Sequence, residues 1–182
     1  WSDIPGTIAS GGATTSVTRT AMRGASQFHD VGLRTATTVR LDVDSLGVGD
    51  AFNNTGAMEV IFALTPAGHT LIPGVTVANS AAAFSLEYEA ANAVDGNIGR
   101  ISGAIANSDW PEYASASLGA NAFVDFDLGS VLAVGGFDWF DRPAEADRVT
   151  AFDMIFSQDA IFGNGDDVTR SYTNAAMAAG DT

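Results

Sequence analysis

Residues 121–157, NAFVDFDLGSVLAVGGFDWFDRPAEADRVTAFDMIFS, decide the fold. Val124, Phe126 and Leu128 alternate with Phe123, Asp125 and Asp127, the period of two that buries one strand face and leaves the other largely wet. Gly129-Ser130 is expected to end that run. A second run, Ala133 to Asp141, puts Phe137 and Trp139 on one face, and a third follows from Arg148 to Ser157. Pro143 and the acidic PAEAD segment supply the turn between them. Three aromatic-rich strands at this spacing predict an all-β, antiparallel sandwich that the rest of the chain completes or caps.

Composition narrows the function. The 182 residues are enough for one full core, and a hydrophobic fraction of 46% argues against global disorder. Acids outnumber bases 22 to 8, every base is arginine, and 17 of the acids are aspartate, a turn and oxygen-ligand residue rather than a helix former. A net charge of −14 repels nucleic acid and anionic lipid, so neither is expected as a partner. With no cysteine there is no disulfide scaffold and no thiolate metal site. No apolar run is long enough for a membrane helix, and no basic, apolar leader opens the chain. The expectation is a mature product, a fragment, or a piece of something larger.

Outside the deciding stretch, Thr37 to Asp44 alternates as a strand, Gly47 to Thr55 is a loop, and Ala57 to Leu64 is a further strand. Pro66 to His69 and Pro73-Gly74 mark a boundary, with residues 67–75 as a linker between a unit at 1–66 and a unit at 76–182. Leu71 to Val77 and Ala83 to Tyr88 are short strand candidates, and no patch is long enough for a free-standing helix. The two ends are faintly alike. Laid over residues 156–182, residues 1–27 match at Ser2, Thr14, Ser16, Thr18, Ala21 and Met22. Either chance or a chain slightly longer than one period of a tandem array explains this.

Asn92-Ala93-Val94-Asp95-Gly96-Asn97, Phe123-Val124-Asp125-Phe126-Asp127-Leu128-Gly129, Gly135-Gly136-Phe137 and Phe152 to Ser157 together resemble a discoidin-type domain, the galactose-binding-like jelly roll of clotting-factor C-type domains. The family's tryptophan follows the Asn-Ala-x-Asp-Gly turn closely, whereas Trp110 stands further on. Pieces similar to the family's closing strands come first here: Arg40-Leu41-Asp42-Val43, then Asn53 to Phe62. The resemblance therefore implies closing strands written ahead of opening ones. Either the two parts close on each other within one chain, or the closing part of one chain completes a neighbour's opening part in a head-to-tail fibre.

The same resemblance implies calcium as the cofactor, held by Asp95, Asn97 and Glu59 with backbone carbonyls; the plainer alternative is an Asp-Gly turn beside a solvent-facing glutamate. Trp110 and Tyr113 would stack on a sugar, with Arg142 and Arg148 gripping its hydroxyls, or else pack as a rim aromatic and an ion-pair cluster. Gly163-Asn164-Gly165-Asp166-Asp167 reads as a hairpin turn. His29 and His69 sit in no nucleophile or metal motif, and neither a nucleophile elbow nor a phosphate loop is present. The expected function is a non-catalytic, secreted or cell-surface structural and adhesive protein, a repeat or subunit of a fibre assembled by β-sandwich complementation with copies of itself. The alternative is a calcium-dependent carbohydrate-binding module that takes extracellular glycans.

Overall fold

Alternating apolar residues dictate strands, and the strands found are long. The computed structural model describes residues 7–10, 13–16, 27–46, 53–57, 59–66, 70–96, 112–140 and 149–173. In chain order these contain β1 (Thr7–Ser10), β2 (Ala13–Ser16), β3 (Gln27–Leu46), β4 (Glu59–Ala63), β5 (Thr76–Ser80), β6 (Phe123–Phe140), β7 (Val149–Ser157) and β8 (Val168–Thr173). Strands β1 and β2 form a two-stranded hairpin. The remaining six make one antiparallel sheet in the order β4-β6-β3-β7-β8, with β5 also pairing on β6. The all-β, antiparallel expectation holds. Among the described residues the only helical pieces are short 3₁₀ turns.

The expected break at Gly129-Ser130 is instead a bend inside β6. Gly129 takes a φ of +78°, a backbone region glycine enters without steric penalty, and its N–H donates to Asp127 Oδ1 at 2.8 Å. Between the pairs Thr38–Asp127 and Ala36–Leu132, β6 carries surplus residues that bulge out. Strand β3 bulges in turn between Asp30 and Arg34, where Gly32 and Leu33 have φ of +68° and +53°. These irregularities let the sheet double over. Phe62 on β4 stands opposite Phe137 in the register, yet its ring meets Phe126, from the other end of β6, edge-on at 5.3 Å. The inner faces of the two ends thus meet, as in a sandwich.

Strand β3 occupies the middle. On one side it pairs with β6 from Gln27–Trp139 to Asp42–Phe123, and on the other with β7 from Thr38–Ser157 to Leu46–Val149. Val124, Phe126 and Leu128, read as one strand face, are buried, as are Phe137 and Trp139; Val39, Leu41, Val43, Phe152, Met154 and Phe156 join them in the core. Trp139 stacks on Phe152 at 4.9 Å, and each such side chain contributes about 1.5–3 kcal/mol by leaving water. On the outer face Arg40 forms a two-pronged ion pair with Asp125, at 2.6 and 2.9 Å. Its guanidinium lies over the rings of Phe123 (4.7 Å) and Phe162 (4.2 Å), which pins the β7–β8 loop against the sheet.

After β4 the described residues pair back on it. Leu64 N–H bonds to Thr70 O and Ile72 N–H to Phe62 O, so the chain doubles straight back on β4; residues 67–69 lie outside those described. The segment Ala83 to Tyr88 is not a strand. Ala83 makes one bridge to Ser115, and Ser85 then caps a 3₁₀ turn over Leu86–Tyr88 by accepting from Glu87 N–H, a local bond that competes with extension. Gly135 marks where backbones touch: a Cβ there would lie 2.1 Å from the carbonyl carbon of Thr65. Gly135→Ala is expected to lower stability by about 2–3 kcal/mol or prevent folding, read as the urea midpoint beside a neutral control such as Ala133→Ser.

Candidate metal centre at Glu59 and the Asp95 turn

Glu59 opens β4, opposite Phe140 of β6, and is only 2% exposed. A 3₁₀ turn, Ala90–Val94, buries Ala90 and Ala93 and ends in Asp95, with φ −84° and ψ −3°. Gly96 follows with φ +80°, and its N–H donates to Glu59 Oε1 at 3.3 Å. The contact is within one chain. The other carboxylate oxygen, Oε2, is buried and has no hydrogen-bond partner among the described residues. Burial is the main reason its pKa is pushed up to about 8; the Asp95 charge adds to the rise, and the Gly96 hydrogen bond opposes it.

Of the three expected ligands, the structure brings Glu59 and Asp95 together, while Asn97 lies outside the described residues. The alternative of a solvent-facing glutamate does not hold, because Glu59 is buried under the turn. An orphaned, buried carboxylate oxygen beside a second carboxylate suits a hard cation that takes six to eight oxygens. Glu59 and Asp95 are the described residues that would hold it. No group of three His, Cys, Asp or Glu side chains that could hold a metal occurs among the described residues.

Sequence reasoning passed over Glu112, a second carboxylate only 2% exposed. It is delivered by a short antiparallel pairing in which Tyr113 N–H bonds to Ala57 O and Ser115 N–H to Thr55 O. Asn92, in the 3₁₀ turn, clamps this segment by donating to the backbone oxygens of Glu87 (2.9 Å) and Glu112 (3.1 Å). Nothing local in Trp-Pro-Glu-Tyr announces burial, since the residues that cover it come from remote strands.

The proposed sugar contacts fare differently. Tyr113 is 1% exposed, its hydroxyl donates to Ala81 O at 3.2 Å, and its ring belongs to the core, so in this fold it offers no face to a sugar. Burial also pushes its hydroxyl pKa upward. Trp110, Arg142 and Arg148 lie outside the described residues. The Gly163–Asp167 loop joins β7 to β8, as a hairpin turn should. Asn164 donates to Asp159, and Gly163 N–H to Asp167 Oδ2.

No family model, no curated protein and no solved structure matches this chain. The site therefore rests on its own geometry.

Glu59 has a pKa of about 8 when folded, against an ordinary 4.5. Its folded-state advantage is thus complete below pH 4.5 and is lost as pH rises toward 8. In chelator, wild-type stability should fall over that window by on the order of a few kcal/mol. Glu59→Gln should flatten the fall, measured as urea midpoints at stepped pH.

Proposed function

We propose that this chain is a non-catalytic extracellular module of discoidin-like jelly-roll type, a structural or adhesive repeat whose loops are clamped by calcium. The observation that carries this reading is Glu59, buried beneath the Asp95–Gly96 turn with one carboxylate oxygen unsatisfied. A bound cation would supply the missing positive charge, hold the turn at residues 95–96 against the start of β4, and stiffen the end of the fold.

Strands β3 and β4 precede their partners β6 and β7 in the chain and still close on them within a single copy. With these pairs made inside one copy, a head-to-tail polymer of such copies would form through exchange of the same strands or through free ends and edges. Acidity keeps such a polymer dispersed and draws divalent cations to its surface.

Calcium at about 100 times its dissociation constant should add about 2.7 kcal/mol, a rise of about 5–10 °C in Tm for a chain of this size. Glu59→Gln should lose that response. Light scattering and negative-stain images with calcium, against chelator, should show concentration-dependent polymers. A strictly monomeric protein indifferent to calcium would end this reading.

A further inference from the structure

His29 is a buried titratable group that the cation site does not use. It lies on β3, is 7% exposed, and its Nε2 has no hydrogen-bond partner among the described residues. Three rings enclose it: Phe137 of β6 stacks on it at 4.9 Å, Phe152 of β7 meets it edge-on at 5.8 Å, and Tyr172 of β8 closes the cage edge-on at 4.7 Å. The walls are unequal. Strands β6 and β7 each pair on both sides, whereas among the described strands β8 pairs only with β7. Along β8 only Arg170 and Tyr172 are even partly buried.

A proton on His29 would put a positive charge into this cage. A cation over an aromatic face gains about 0.5–2 kcal/mol, less than the cost of holding an unpaired ion away from water. No described charge compensates it. Asp138 on β6 and Asp153 on β7 each alternate with the caging residues Phe137 and Phe152, which directs them to the opposite side of their strands. Asp30, the chain neighbour on β3, alternates likewise; its charge reaches the Tyr172 hydroxyl, while burial alone governs His29. Arg170 shares Tyr172's side of β8 and would repel. Hydrating the imidazolium therefore means moving a wall, and β8 is the wall that costs least to move.

We propose that His29 is an acid-sensitive latch on β8: protonation of its imidazole releases Tyr172 and lifts β8 from β7, baring the β7 edge for another strand. The inference is independent of the cation site and of the proposed function. Burial lowers the pKa of His29 from 6.5 to about 4, as an enclosed imidazole without an acidic neighbour requires. The sign follows. The closed form binds the proton less well than the open form, so the latch is secure above pH 6.5 and weakens as pH falls toward 4.

Hydrogen exchange of the full chain, corrected for intrinsic rates, tests this at pH 7 and pH 4.5. Protection of the Val168–Thr173 amides should fall roughly ten- to a hundredfold more than that of β3 and β6. His29→Phe should keep β8 protected at pH 4.5, and Tyr172→Ala should unlatch β8 at both pH values. Equal losses in β3, β6 and β8, or a wild-type loss that His29→Phe reproduces, would overturn the proposal. NMR titration of the wild-type His29 ring tests it without a variant: a normal midpoint near 6.5 with unchanged β8 amides would refute it.

Discussion

The fold depends on β3 being seated between β6 and β7. A strand at the middle of an antiparallel sheet has both rows of backbone groups satisfied, and one face of β3 here carries Val39, Leu41 and Val43 into the core. Without it, β6 and β7 would each present an open edge and a row of bare aromatics. Strands near the start of the chain are thus obligatory partners of strands near its end. The loop closure this requires grows in cost only slowly with length.

The bends in β3 and β6 follow from that seating. Two strands that pair along most of their length must leave one plane together, and the bulges around Leu33 on β3 and Gly129 on β6, at separate positions along the pair, allow it. Doubling over brings Phe62 to Phe126 and Trp139 to Phe152, so the apolar surface of both ends is spent on one core. It also decides which polar groups are trapped. Glu59 and His29 are carried inside among mainly apolar inward-facing residues, and neither is fully satisfied there by the described residues. Arg40, on the outer face, finds Asp125 and two rings.

Glu59 and His29 pull in opposite directions with pH, one resisting ionisation and the other resisting protonation, and both shifts come mainly from burial. A polar atom left unpaired inside a protein costs about 1–3 kcal/mol, so each is a point where a ligand or a local opening repays energy already lost. Under the proposals made above, the first is relieved by a cation and the second by movement of an edge strand.

Strand identity was legible wherever a period of two ran beside turn residues. Val124 to Leu128, Thr37 to Asp44, Ala57 to Leu64 and Arg148 to Ser157 all lie in or around observed strands, because alternation states which face meets the core. Strand ends were less legible. Gly129 looks like a terminator in one dimension, and whether a glycine stops a strand or bends it depends on whether the partner strand runs on past it, as β3 does here. Ala83 to Tyr88 has the look of a short strand, and the Ser85 cap that turns it into a 3₁₀ turn is visible only in the fold. Of the site, the pairing of Glu59 with the Asp95 turn was anticipated, whereas Glu112 and the interior position of Tyr113 were not. Sequence by itself determined the all-β class, the inward residues and the acidic surface, since these follow from local alternation and composition. Only the tertiary structure decided which strand sits in the middle and which carboxylates and imidazole are cut off from water, because burial is imposed by residues far away along the chain.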